Sequence, residues 1–335
     1  MGVWMDQMRH ISLVKYHTLG NSYLVFDPHR NGVTEPRAPI AADWIRTVCH
    51  PNLGPGSNGL LVGPDRSGTA SFDFRIFNSD ASQAQLSGNG SRIFARYLLD
   101  AGYVRSGEHE FSVVAVSGRL DRVTVGVTAR AGAEAPIETR IRIAPLFGPG
   151  AVGAAGTTCL NGKIAVTIPG LAALGRSVGV GSKAWSDSTL VRIGNPHCVT
   201  FVHSGQELPS IELLGRLRLE LSSIADAPDD TSENSTFESG SNLQWCFVES
   251  RERLQLRIFE RGEGVTLASG SSAAAAVMAA FVRGLADRQV SVMMPGGQLD
   301  CTLLTEGSDI VAVEMSAQVH FVANIQVATA DVRAA

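Results

Sequence analysis

The strongest constraint on this chain is that it repeats itself at one fixed spacing. Arg75-Ile76-Phe77 is followed, ten positions after Phe77, by Ser87-Gly88 and then by a helix-like run that closes at Gly102. Arg257-Ile258-Phe259 is followed, again ten positions on, by Ser269-Gly270 and a helix-like run that closes at Gly284, every match lying at an offset of 182. Agreement of a tripeptide, a dipeptide and a terminal glycine in one register predicts two homologous halves. Each half would run strand, loop, Ser-Gly, helix, with glycine closing the helix C-terminus. The length of 335 residues suits that division, at roughly 150 residues per domain.

Composition narrows the function classes. The hydrophobic content of 44% and charged content of 18% describe a globular chain rather than a disordered one. A net charge of -4 leaves no electrostatic footprint for nucleic acid. Only Lys15, Lys163 and Lys183 are lysines, and none sits in a phosphate-binding setting, so pyridoxal phosphate is not expected. Cys49, Cys159, Cys198, Cys246 and Cys301 are widely spaced with no CxxC pair, which predicts reduced thiols in a cytoplasmic protein and no zinc site. The N-terminal MGVWMDQMRHISL has neither the apolar run nor the cleavage site of a signal peptide, and the apolar stretch Ala273 to Val282 is too short to span a bilayer. No membrane segment, no metal and no cofactor are expected.

Pro51 to Gly59, Gly148 to Gly162 and Asp226 to Asn242 have loop compositions, the second marking a domain boundary. The segments Ser112 to Val116, Arg122 to Val127, Ile164 to Ile168, Asn242 to Val248, Leu254 to Phe259 and Val290 to Met294 suit strands. Helices are expected chiefly at Asn89 to Ala101 and Ser271 to Arg283. Neither of two GxGxxG stretches, Gly54 to Gly59 and Gly148 to Gly153, follows a clear strand and opens a helix, so a dinucleotide site is not expected. Gly175 to Gly179 matches GxSxG but lacks the strand-turn-helix context of a nucleophile elbow.

A small residue followed by glycine at a helix start leaves backbone N–H groups free at the positive end of the helix dipole, which makes an anion site. Two such sites could grip one carboxylate with Ser87 and Ser269 on opposite faces of the ligand. The alternative is that both serines are only N-caps.

The motifs KYHTLGNSYLVFD, FRIFNSDASQAQLSGNGSRIFARYLLDAG, GNPHCVTFV, SNLQWCFV, RIFERGEGVTLASGSSAAAA and MPGGQLD run in one order from about Leu13 to Val322. In this they resemble the diaminopimelate epimerase family of pyridoxal-independent amino-acid epimerases. The resemblance implies an α+β fold of two pseudo-symmetric domains, each a mostly antiparallel curled sheet around a central helix, with the active site in the cleft between them. The expected domains are 11–140 plus 314–330, and 141–313. A homodimer and a small amino-acid-like substrate are also implied.

In the family two cysteines at the helix starts act as base and acid across the substrate's α-carbon. Their positions fall on Ser87 (LSGNG against CGNG) and Ser269 (ASGSS against ACGTG or ACGSG). A thiol ionises near pKa 8.5, whereas an aliphatic alcohol lies much nearer water at about 15.7; with a gap of roughly five units or more, at 1.36 kcal/mol per unit, an alkoxide costs about 7 kcal/mol or more beyond a thiolate to form. By resemblance His197 would lie beside Ser87 and Glu260 beside Ser269, and such partners activate hydroxyls. Asn21, Asn78, Asn195, Asn242, Glu260 and Arg261 match the family's amino-acid-binding residues, and Gly88, Asn89, Gly270 and Ser271 match its α-carboxylate cradle. Gly59, Gln83 and Val265 replace a family Gln, Glu and Glu, and Thr18 and Ser22 replace Gly and Asp of HGLGNDF. The leading expectation is an isomerase acting at an amino acid's α-carbon through Ser87 and Ser269, assisted by His197 and Glu260. Elimination or cyclisation, and amino-acid binding without turnover, stand as alternatives.

Overall fold

The computed structural model describes residues 9–35, 37–65, 72–84, 87–114, 120–128, 137–143, 167–179, 185–193, 195–227, 240–306 and 309–328. The chain divides into one unit of Met1–Arg142 with Ser316–Ala335 and a second of Ile143–Met315. The class is α+β.

The first unit contains β1 (His10–Thr18), β2 (Asn21–Phe26), α1 (Ala42–Cys49), β3 (Gly59–Asp65), β4 (Phe72–Asn78), β5 (Gln83–Ala84), α2 (Gly88–Asp100), β6 (Gly107–Val114), β7 (Leu120–Thr128) and β8 (Ile137–Ile143). Leu19 and Gly20 join β1 to β2 with φ of 54° and 76°, the paired positive values of a tight hairpin turn. From β1 to β7 the neighbours pair antiparallel (β1–β2), parallel (β2–β3), antiparallel (β3–β4), parallel (β4–β6) and antiparallel (β6–β7).

The second unit contains α3 (Pro169–Ser177), β9 (Asp187–Ile193), β10 (Asn195–Val202), α4 (Ile211–Arg216), α5 (Arg218–Asp226), β11 (Asn242–Ser250), β12 (Arg253–Glu260), β13 (Gly264–Thr266), α6 (Gly270–Val282), β14 (Gln289–Met294), β15 (Gly297–Glu306) and the start of β16 (Asp309–Ala328). The end of β16, from His320 to Ala328, pairs with β1 in the first unit. The order from β9 to β15 is antiparallel (β9–β10), parallel (β10–β11), antiparallel (β11–β12), parallel (β12–β14) and antiparallel (β14–β15). The same sequence of pairings in both units is the structural form of the repeat.

Each sheet wraps a helix. In the first unit α2 packs on β1, β2, β3 and β7, and its residues Asn89 to Leu98 are all buried. In the second, α6 touches β9, β10, β11, β12, β14 and β15. A helix covered on every side is mostly apolar all round; in α6 the run Ala273 to Ala280 meets that demand with mainly small side chains, whereas α2 also buries Arg92 and Arg96, which hydrogen-bond Asn89 and Asp100. The glycines at 102 and 284 take φ of +77° and +69°, the left-handed conformation that ends a helix. In each case the residue after the glycine donates back into the last turn, Tyr103 to the Leu98 carbonyl and Leu285 to the Ala280 carbonyl, both at 2.8 Å.

Some expectations need correction. Ile168 is not in a strand; it is the N-cap residue of α3, whose Pro169 starts a helix at no hydrogen-bonding cost. Ile164 to Val166, the loop 148–162 and its GxGxxG lie outside the described residues, as does Cys159. The short helices α1, α3, α4 and α5 carry too little periodic sequence to be read in advance. In α1 the side chains of Trp44, Ile45, Val48 and Cys49 join the core beside Phe26 and Leu60. The GxSxG stretch forms the end of α3.

Candidate active site

Both helix starts are built the same way. Ser87 caps α2 at φ −140°, ψ 117° and Ser269 caps α6 at φ −142°, ψ 128°. The Ser87 carbonyl accepts from Ser91 N at 2.9 Å and the Ser269 carbonyl from Ala273 N at 3.0 Å. Ser87 Oγ accepts from Gly90 N at 3.0 Å, and Ser269 Oγ from Ser272 N at 3.4 Å. That leaves the N–H groups of Gly88 and Asn89, and of Gly270 and Ser271, as the amides at each positive helix end that an anion would use. A side chain added at Gly88 would meet no atom within 4 Å, and one at Gly270 would meet only Met315, at 3.6 Å.

The two serine hydroxyls differ in their second partners. In the second unit the Ser269 side chain lies near enough to the Glu260 carboxyl to lower its pKa, so the pair expected there is brought together. Burial raises the Glu260 pKa above the ordinary carboxylate value; Ser269 opposes this and nearby Glu263 adds to it. Ser271 Oγ lies 3.3 Å from Ser269 Oγ. In the first unit Tyr23 Oη lies 3.2 Å from Ser87 Oγ.

His197 is fully buried on β10, and burial lowers its pKa to about 3. Its Nδ1 lies 3.0 Å from Gln244 Nε2, which also reaches Ser272 Oγ at 3.1 Å. Asn242 stands opposite His197 in the β10–β11 ladder. Its Nδ2 donates to the Pro196 carbonyl at 3.3 Å and its Oδ1 accepts from Arg261 N at 2.9 Å. Asn242 thus fixes the turn after Glu260, while the Arg261 side chain reaches solvent. Asn195 opens β10 opposite Ile193.

The remaining residues belong to the first unit. Asn21 starts β2, and its Oδ1 is buried without a hydrogen-bond partner. Asn78 ends β4 and donates from Nδ2 to Ser82 Oγ at 2.9 Å, closing the turn that leads to β5. Asn89 accepts from Arg92 Nη1 at 2.9 Å.

Cys49, Cys198, Cys246 and Cys301 are all buried and none is in a disulfide. Burial pushes the Cys49 and Cys246 thiols up to about 12, so neither supplies a thiolate near neutral pH. Lys15 Nζ donates to the Pro55 carbonyl at 3.1 Å. Among the described residues no three His, Cys, Asp or Glu side chains converge as a metal would require, and no helix is long and apolar enough to cross a membrane. A hollow of about 1100 Å³ in the second unit is lined by Glu252, Arg253, Asp287, Arg288 and Asp300, with none of the candidate residues.

Sequence reasoning passes over Tyr23 and Gln244. The signal for Tyr23 is the last letter of HGLGNDF, where this chain has a hydroxyl-bearing ring instead of Phe. For Gln244 it is Ser272, its partner, which stands where ACGTG ends in Gly.

Comparison with known proteins agrees with this architecture. The family profile described as diaminopimelate epimerase matches residues 13–129 and 189–321. Diaminopimelate epimerase 2 of Nostoc sp. is 33% identical over 292 residues, 85% of this chain and 86% of that protein. Among solved structures, a phenazine biosynthesis protein of the PhzF family from Bacillus anthracis superposes with a TM-score of 0.62 at 13% identity, covering 96% of this chain and 99% of the other. A hydroxyproline epimerase from Agrobacterium vitis, bound to trans-4-hydroxy-L-proline, gives 0.58 at 14% identity, covering 98% and 94%. With its doubled strand-and-helix unit, its two capped helix starts and its match along most of its length, the chain belongs to the diaminopimelate epimerase family, a family of isomerases.

Proposed function

We propose that this protein is a pyridoxal-independent isomerase that inverts the α-carbon of an amino acid, using Ser87 and Ser269 in place of two thiols. The observation that carries the reading is the Glu260 carboxyl beside Ser269, at one of two helix starts capped in the same way. The amides of Gly88 and Asn89, and of Gly270 and Ser271, hold the α-carboxylate, with Asn21, Asn78, Asn195, Asn242 and Arg261 around the rest of the ligand.

A free serine alkoxide is too costly to form at neutral pH, so Ser269 works as a relay. As the α-C–H bond breaks, its proton passes to Ser269 Oγ while the Ser269 proton passes to a Glu260 carboxylate oxygen. The electron pair stays on the α-carbon, next to the carboxylate whose charge the helix amides stabilise. Glu260 must be ionised to accept, and no alkoxide accumulates. Ser87 returns a proton on the other face. His197, neutral and buried, serves as a hydrogen-bonding group.

The loss of family side chains at Gly59, Gln83 and Val265 points to an amino acid whose distal end differs from that of diaminopimelate. The wide spacing of the five cysteines in the sequence suits a cytoplasmic setting, and the family resemblance supports a homodimer, which light scattering on the purified protein tests. Incubation with LL- and meso-diaminopimelate and a panel of L- and D-amino acids in D2O, followed by NMR, tests the reaction. Deuterium at the α-carbon with inverted configuration is expected; binding without exchange at any pH contradicts it. The unlike partners of the two serines also suit one-sided chemistry such as elimination, which a product with an altered carbon skeleton would reveal.

A further inference from the structure

Three departures from the family pattern meet at one place in the first unit. Ser87 replaces a thiol, Tyr23 replaces the Phe of HGLGNDF, and Gly59 replaces a Gln. Tyr23 Oη lies 3.2 Å from Ser87 Oγ. Tyr23 and Gly59 stand opposite each other in the parallel β2–β3 ladder. A Cβ added at Gly59 would lie 2.6 Å from Cε1 of the Tyr23 ring and would also overlap the Phe77 carbonyl oxygen. A longer side chain at 59 would therefore displace the ring. Tyr23 is 5% exposed, so its hydroxyl is held in place by packing.

We propose that Tyr23 is the proton-relay partner of Ser87, a positioning residue that takes over the work the missing thiol would do, and that Gly59 makes room for it. The inference rests on the isomerase reading above. As Ser87 O–H gives its proton to the α-carbanion and the new C–H bond forms, the Tyr23 O–H gives its proton to Ser87 Oγ. The negative charge ends on the phenolate rather than on a serine alkoxide. Phenol ionises near pKa 10 and an alcohol near 15.7, so this shifts the equilibrium by a factor of roughly 10⁵ to 10⁶. The Gly90 N–H, already bonded to Ser87 Oγ, stabilises charge in transit. Once product leaves, water returns a proton to Tyr23 and removes the one held by Glu260.

The test compares Tyr23→Phe in two backgrounds. In the parent, Tyr23→Phe removes one oxygen and is expected to lower kcat at least 100-fold with KM within about threefold. In Ser87→Cys the thiol needs no relay, so Ser87→Cys/Tyr23→Phe is expected to match Ser87→Cys alone. Unchanged kcat in Tyr23→Phe, or equal losses in both backgrounds, would overturn the relay, the second outcome marking a packing role.

A second readout needs no turnover. The rate at which an aryl fluorophosphonate labels Ser87, read by mass spectrometry, is expected to rise with pH along one ionisation in the parent and to lose that rise in Tyr23→Phe. Identical profiles overturn the Tyr23–Ser87 coupling. A coupling that holds while the parent exchanges no amino-acid α-proton overturns the isomerase reading instead.

Discussion

Gln244 Nε2 lies 3.0 Å from Nδ1 of the fully buried His197. A side-chain amide that donates there requires a neutral imidazole with its proton on Nε2, in keeping with the pKa of about 3 that burial imposes. An unfolded imidazole titrates near 6.5. Between those values the unfolded chain binds a proton that the folded chain does not. The stability present above pH 6.5 is therefore lost as pH falls toward 3, by about 2 kcal/mol at pH 5. Urea unfolding from pH 7 to 5 is expected to show this loss, and His197→Phe to flatten it. A parent and variant with the same pH slope would contradict it.

The Glu260 carboxyl is raised by burial and must be ionised to accept a proton. Activity is therefore lost as pH falls, along a limb that lies above the ordinary carboxylate range. Glu260→Gln should lower kcat at least 1000-fold without unfolding the protein. Retention of the acidic limb in any residual activity of that variant would assign it to another group.

Ser269 has two separable duties. Removing its cap by Ser269→Ala costs about 1 kcal/mol of stability, a modest fall in Tm, whereas loss of the relay should abolish measurable turnover. Ser269→Cys supplies a group of lower pKa and should retain turnover. Calorimetry and progress curves on the two variants separate the duties, and an active Ser269→Ala would remove the relay.

Thiol reagents should not inactivate the enzyme. Cys49, Cys198, Cys246 and Cys301 are buried, and none occupies a helix start. Iodoacetamide at pH 8 is expected to leave the folded protein active over hours, with peptide mass spectrometry reading the sites modified. Inactivation that tracks labelling of any of these four cysteines would contradict the account.

The repeat made the two central helices and their capping serines legible, because Ser-Gly followed by a closed apolar run has few other structural uses. The Glu260–Ser269 pairing was legible only through resemblance, since a strand end and a helix start nine residues apart are brought together by the β12–β13 turn. Tyr23 and Gln244 were not read because each acts across strands, on Ser87 and on His197, from positions that alternate into the core like any apolar residue. The pKa of His197 depends on complete burial, which GNPH alone does not encode. The short helices α1, α4 and α5 owe their existence to core contacts rather than to propensity.

In the proposed reaction two different residues handle the two faces of the α-carbon. Starting from one pure stereoisomer in D2O, circular dichroism follows inversion while NMR reads α-deuterium separately in substrate and product. Deuterium is expected in nearly all of the early product while the remaining substrate still carries hydrogen, with a transient overshoot of the optical signal past its equilibrium value. Deuterium appearing equally in substrate and product from the start, with no overshoot, would show a single residue serving both faces and contradict it.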